Sequence, residues 1–423
     1  MQAGFADVDI TPPPGTLKIG WLKKIVSDTV LDPLYARVAI IRSGPESIAF
    51  VQTDLLSVRW TFAEQIRAQV AARYGFPGDR VMVSATHNHA GPAVANCGEV
   101  PRDEAYLADL LEKVLVAFGR ALKGLRPAQV GIASCFEFDL GYNRRVIMRD
   151  GTVCTHGSFS GPDALCMEGP IDPEVAVLAA RDETGKLMGA LVNFACHPTH
   201  HGGGTAISAG FPGVMADIMK QRGCPVTLFL NGAGGNIATS DPCSGKSHEM
   251  EPAGQALADD VSAALQQIEY RAEARLSGRR ETVQLPYREV TGEQIDGTVR
   301  GAQRFVDPAL YDRGMPALLD RIRTRGSQPA EVQVLSFDEF SFAGIPAEYF
   351  VQHGLRIKQE AYPRRALVVG WANGMVGYVP HREAFQRGGY ETTFAASSRM
   401  APQAGDILAD CAIRLIHQED QPS

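Results

Sequence analysis

An α/β fold of mixed sheets with helices on the outside is the architecture this sequence predicts, and three observations lead to it. Short apolar runs ending in Gly, Pro or Asn recur along the chain and read as buried strands. Segments with apolar residues four apart lie between them and read as helices with one face on a core. Two pairs of runs are joined by brief turn-forming stretches, around 42–47 and 182–186. Such connections pair strands antiparallel and exclude a purely parallel sheet. With strands central and helices outside, the expected arrangement is a four-layer αββα sandwich.

The elements follow in order. "GFADVDITPPPG" alternates apolar and polar residues until proline stops it, as an edge strand does. "LYARVAIIRSG" and "SIAFVQTDLL" form a hairpin; a helix then carries Phe62, Ile66 and Val70 and ends at Gly75 and Pro77. "VMVSATHNHAGP" is a buried strand that delivers His87 and His89 to a sheet edge. A longer helix, 103–122, has Leu107, Leu111, Val114, Phe118 and Leu122 on one face, and Pro127 closes the segment. "AQVGIASCFEFDLG" is a strand, and 148–169 is Gly-rich and weakly patterned. "EVAVLAARDETGKLMGALVNFACHP" is a hairpin whose second run ends at His197. "FPGVMADIMKQRG" is a helix, and "VTLFLNGAGGN" a strand entering a Gly-rich turn. Residues 251–268 are helical, with Leu257, Val261, Leu265 and Ile268 in register. From 281 to 328 the pattern is a strand followed by charged helical pieces. Then come a hairpin ("EVQVLSFDEFSFAGIP"), a helix ("AEYFVQHGLRIKQE") and a strand entering a Gly-rich loop ("RALVVGWANGMVGYVP"). A final helix, 404–417, packs Ile407, Leu408, Cys411 and Leu415. No Gly/Ser linker or charge run divides the chain, so residues 1–423 are expected as one domain with an insertion around 281–328. One internal echo stands out: the strands at 81–86 and 189–196 both end at histidines.

Hydrophobic residues make up 45% and charged residues 21%, enough for a sizeable core. A net charge of −7 without a basic stripe argues against nucleic-acid binding. No apolar run reaches membrane-spanning length, and the N-terminus has neither the basic nor the apolar region of a signal peptide. The eight cysteines contain no C-x-x-C pair. Reduced thiols and a cytoplasmic location are the expectation. Nothing in the pattern fixes an oligomeric state.

Five of the ten histidines sit in "THNH" (His87, His89) and "CHPTHH" (His197, His200, His201). Strand-end imidazoles suit a catalytic metal, which needs about three protein ligands and an open position, although paired loop histidines also occur as exposed residues. Glu348 in "GIPAEYF" falls at a helix start, where an acid either complements the dipole or serves chemistry. Asp54 is a comparable strand-end acid. "NGAGGN", 231–236, is either a nest of backbone N–H groups for an anion or a tight structural turn. It matches neither dinucleotide nor P-loop patterns, and no G-x-S-x-G elbow occurs.

Seven motifs in order, "GFADVDITPPPG", "SATHNHAGP", "GYNRR", "NFACHPT", "ISAGFPG", "IPAEYF" and "ANGMVGYVPHREAFQRGGYE", resemble the catalytic domain of neutral ceramidases from Gly4 to about Thr393. Neutral ceramidases are zinc-dependent amidases that cleave the N-acyl bond of ceramide. The resemblance implies zinc ligands at His87, His197, Glu348 and Tyr378, with His89, Arg144 and Tyr390 around the substrate. His200 and His201 have no counterpart and stand as substrate contacts, a second metal site or exposed loop residues.

The sequence also departs from that family. Ala238 falls where ceramidases carry a serine in a Gly-Asp-x-Ser-Pro-Asn-like motif, with Gly235 and Asn236 for Gly-Asp. Gly210 stands where an acid is common, and the family's C-terminal immunoglobulin-like domain has no counterpart. These departures shift the expected substrate from long-chain ceramide to a small soluble molecule. The expected activity is zinc-dependent amide hydrolysis by activated water. Ester, lactone or glycoside hydrolysis at the same zinc is the alternative, as is a non-catalytic small-molecule binder. A purely structural zinc would call for cysteines in a closed tetrahedron.

Overall fold

In the computed structural model, which describes residues 1–418, one succession of elements occurs three times. The first unit is β1 (Gln2–Asp9), β2 (Tyr35–Ser43), β3 (Glu46–Thr53), α1 (Trp60–Tyr74), β4 (Val81–Ala85) and α2 (Glu104–Lys123). The second is β5 (Gln129–Phe136), β6 (Glu174–Arg181), β7 (Leu187–Phe194), α3 (Gly210–Gln221), β8 (Thr227–Asn231) and α4 (Met250–Leu265). The third runs β9 (Leu276–Pro286), α5 (Pro308–Arg325), β10 (Ser327–Phe337), β11 (Phe340–Gly344), β12 (Glu348–Tyr349), α6 (Val351–Glu360), β13 (Arg365–Val369), β14 (Tyr378–Val379) and α7 (Ala404–His417). In each unit three antiparallel strands are followed by a helix and a fourth strand parallel to the third, giving the orders β4-β3-β2-β1, β8-β7-β6-β5 and β9-β10-β11-β13.

The local sequence explains the elements. Asp103 caps α2 by accepting the Tyr106 N–H at 2.9 Å, and Gly75 ends α1 in the left-handed conformation (φ 63°). The buried stripe of α2 is Leu110, Val114, Leu115 and Phe118, with Leu107, Leu111 and Leu122 only half-buried, so the helix is rotated from the expected face. β1 pairs along its whole length with β2, but on its other side only Gln2 and Ala3 meet Arg126–Pro127, which leaves it close to an edge strand. The stretch 281–328 splits between β9, a short helix Gly292–Asp296 and α5, which lies between two strands of one sheet.

The inner faces of all three sheets share one core: Phe50 and Met82 from the first, Leu178 and Leu191 from the second, Phe342 and Val369 from the third. Helices α1 and α2, α3 and α4, and α6 and α7 cover the respective outer faces. Mixed sheets inside and helices outside are therefore as expected, but three sheets meet at the centre where the expected αββα sandwich has two, because each unit closes its own sheet. Among the described residues no helix is long and apolar enough to cross a membrane.

This topology positions the site. The third and fourth strands of each unit are parallel, so their C-terminal ends open on the same edge, where ligands bind in α/β sheets. His87 follows β4, His197 follows β7, Glu348 follows β11 and Trp371 follows β13.

Candidate active site

Three imidazoles from two units converge. His87, His89 and His197 each offer a ring nitrogen within 4.8 Å of the others. His87 Nδ1 lies 2.8 Å from the Leu56 carbonyl, and His197 Nδ1 2.6 Å from the Gly234 carbonyl, so in the neutral ring each Nδ1 carries the proton and donates it. Each Nε2 is then a bare lone pair. Both point at Glu348 Oε2, at 3.4 Å, and His87 Nε2 also faces His89 Nε2 at 3.1 Å. Acceptors facing acceptors at this range repel unless a cation lies among them. Burial, then His87 and His197, holds His89 well below the usual imidazole range, and burial followed by Arg144 pushes His197 down to about 3. For Glu348 burial opposes ionisation, but His87 and His197 outweigh it and keep the carboxyl well below its usual range. Imidazoles beside a carboxylate are the donor set a divalent cation takes.

The support around this cluster is rigid. The Trp371 ring stacks on His87 at 4.4 Å and meets His197 edge-on at 5.5 Å. His87 (φ 68°), Trp371 (φ 50°) and Asn373 (φ 59°) are all left-handed without being glycine, a strain of about 1–3 kcal/mol each that surrounding structure must hold. Part of that hold is the Asn373 side-chain carbonyl, which accepts the Val83 N–H at 2.9 Å. Glu348 and Tyr378 are parallel partners across β12 and β14, which brings both side chains to one place. Gly235 permits this approach: a Cβ there would meet the Glu348 carbonyl oxygen at 2.5 Å.

Behind Tyr378 lies a buried ionic relay. Arg144 donates through Nη2 to the Tyr378 hydroxyl (3.1 Å) and the Gly235 carbonyl (3.0 Å), and through Nε to Glu391 (2.8 Å). The second Glu391 oxygen accepts from Arg145 (2.8 Å) and Thr155 (2.8 Å). Burial would raise the Glu391 carboxyl, but Arg144 and Arg145 outweigh it and hold it at about 2. Tyr390 crosses the Tyr378 ring at 5.6 Å and 77°.

No family model matches the chain. The curated neutral ceramidase of Pseudomonas aeruginosa is 26% identical over 177 residues, which is 39% of this chain and 25% of that protein. The matched stretch thus spans a quarter of the relative's length. A solved structure described as ceramidase complexed with C2 superposes over 100% of this chain and 76% of its own, with a TM-score of 0.79 at 19% identity. The chain has a neutral ceramidase-like fold. The crystal structure of the Pseudomonas aeruginosa neutral ceramidase itself matches 99% of the chain and 74% of its own, with a TM-score of 0.74 and 20% identity.

Within this ceramidase-like fold the residues singled out by sequence fall as follows. His87, His89, His197, Glu348 and Tyr378 gather at one point, with Arg144 hydrogen-bonded to Tyr378 and Tyr390 packed beside it. Glu348 is not at a helix start: it sits in the bridge strand β12, and the capping position of α6 is Phe350. The glycine turn 231–236 is not an anion nest. The N–H groups of Gly232, Gly234 and Gly235 are bonded to Phe194, Gly232 and Tyr349, and the turn instead offers carbonyls to His197 and Arg144. Asp54 is fully buried in an ion pair with Arg37 at 2.8 Å, a structural role. His200 bonds the His248 carbonyl, and His201 is exposed in a loop whose carbonyls at His201, Gly204 and Ala206 receive the buried Lys18 ammonium. Ala238, aligned with the family's serine, is buried beside the His197 backbone. Cys196 is buried and its thiol pushed far up, consistent with packing. The strands behind the two histidine clusters are a fourth strand (β4) and a third strand (β7), so the echo at 81–86 and 189–196 does not pair equivalent elements.

Two residues escaped the sequence reading. Trp371 carried no signal beyond its Gly-rich loop. Glu391 did, since the Arg144–Arg145 doublet requires a buried counter-charge and Glu391 adjoins Tyr390 in "GGYE".

Proposed function

We propose that this protein is a zinc-dependent hydrolase that cleaves the N-acyl amide bond of a small soluble substrate with activated water. The observation that carries the reading is the convergence of two imidazole lone pairs on one carboxylate oxygen, a set that needs a cation at its centre. His87, His197, Glu348 and Tyr378 would hold the ion; zinc bound there supplies Lewis acidity toward a water and a carbonyl. His89, whose Nε2 lies 3.1 Å from His87 Nε2, accepts a proton and returns it to the departing amine. Arg144, fixed by Glu391 and Tyr378, keeps a positive charge where a carbonyl oxygen gains negative charge. Tyr390 orients the substrate against the Tyr378 ring. Ala238 has no hydroxyl, in keeping with water as the nucleophile. The eight free cysteines support a cytoplasmic setting.

The likeness to ceramidases supports amide chemistry over ester, lactone or glycoside cleavage, and the assembled charge relay favours a catalyst over a binder. The test is metal analysis of the purified protein with hydrolysis of a panel of short N-acyl amides, esters, lactones and glycosides. Stoichiometric zinc and amide turnover lost in His197→Ala are expected. Full amide turnover by chelator-stripped protein overturns the reading.

A further inference from the structure

The turn that carries Tyr390 and Glu391 has a second hollow beside it. Gly388, Thr392 and Thr393 line a cavity of about 480 Å³ that none of the candidate site residues enters. Arg288 also lines it and is only 5% exposed. Its Nη1 donates to the Thr392 carbonyl at 2.8 Å, and its Nε has no hydrogen-bond partner. No acceptor meets Nη2, and among the described residues no carboxylate pairs with this guanidinium. Arg37, Arg67, Arg144 and Arg145, all buried, each meet a carboxylate. Buried Arg399 lacks one, yet Gln328 and the Ala396 carbonyl take its donors. Arg288 alone of this group lines the cavity while the Nε–Nη2 edge of its guanidinium meets no acceptor. Its neighbour Glu289 also lines the hollow but is exposed.

A buried cation without a counter-charge is costly, and flanking rings offset only part of that cost. The rings here are Phe385 and Phe394, at 5.6 and 4.9 Å from the guanidinium carbon. The Nε–Nη2 edge of a guanidinium is the fork that matches a carboxylate with two parallel hydrogen bonds. Aromatic walls next to that fork suit a flat apolar body. We propose that this cavity is a binding site for an organic carboxylate, held on the free edge of Arg288 with its apolar part against Phe385 and Phe394.

Isothermal titration of the metal-loaded full chain with benzoate, phenyl phosphate and uncharged benzamide tests this. Benzoate is expected to bind saturably with a Kd of about 1 mM or tighter, and benzamide at least about tenfold more weakly. Benzoate binding should weaken about tenfold or more in Arg288→Lys, which keeps the charge but not the fork, and in Arg288→Met. It should persist in His197→Ala, which separates this site from carboxylate bound at the imidazole cluster. Absence of saturable benzoate binding, unchanged binding in folded Arg288→Lys, or loss confined to His197→Ala overturns the proposal. Phenyl phosphate binding markedly tighter than benzoate overturns the assignment to carboxylates.

Discussion

Replacing Glu391 with Gln tests whether the charge relay behind Tyr378 is what holds the site in shape. Glu391 is fully buried and receives Arg144, Arg145 and the Thr155 hydroxyl, each at 2.8 Å. Glutamine keeps the volume but removes the negative charge from between two arginines and presents an amide donor to at least one of them. Removing one partner of a buried ion pair costs roughly 3–5 kcal/mol. The fall of its pKa from 4.5 to about 2 sets an independent scale of roughly 3 kcal/mol at neutral pH. Both figures point to the same loss of stability, and both are order-of-magnitude. Arg144, once released, no longer fixes Tyr378, so kcat should fall about tenfold or more while the metal stays bound. Urea denaturation at pH 7 reads the first effect and steady-state kinetics with metal analysis the second. A loss below about 1 kcal/mol together with unchanged kcat would refute the idea that Glu391 organises Arg144.

Acid should act through the same carboxylate. Its folded pKa is depressed, so its stabilisation is complete above about 4.5 and is lost as pH falls toward about 2; urea midpoints of wild type and Glu391→Gln should therefore converge across that window. His89→Ala is expected to abolish most turnover while keeping one metal per chain, and metal loss in that variant would make His89 a ligand instead. Gly235→Ala puts a methyl 2.5 Å from the Glu348 carbonyl oxygen and 2.9 Å from that of Tyr349, backbone that cannot give way, so the variant should lose metal and activity together by metal analysis and assay. Trp371→Leu removes the ring stacked on His87 and should cost about 3 kcal/mol in urea unfolding, with metal affinity about tenfold weaker in competition with a chelator.

What the sequence made legible depended on range. Hairpins closed by short turns and helices with apolar residues four apart declare themselves locally, and β2–β3, β6–β7, α1 and α7 fell where the pattern set them. Glu348 was misread because "PAEYFVQHG" does carry a helix; only the pairing of β12 with Tyr378, thirty residues on, shows that the acid belongs to a bridge before it. The glycines of 231–236 announce a turn but not which backbone groups it leaves free, since that depends on Phe194 and Tyr349 far away in the chain. Glu348 and Tyr378 were separable from the 48 acids and the 11 tyrosines only through family resemblance. Trp371 had no local signature at all, because its role is defined by the ring it covers.

The triplicate arrangement has a kinetic corollary. His87 belongs to the first unit, His197 to the second, and Glu348 with Tyr378 to the third, so the proposed ligand set is complete only when all three units have docked. During refolding, helices and hairpins should regain their circular dichroism well before the chain recovers metal affinity, since closing contacts this distant along the chain is slow. Once the three portions dock, an ion held by the proposed ligand set would lock them together by mass action. Catalytic competence would then serve as the last signal of maturation, and a cell short of the ion would accumulate chains that are built but not fastened.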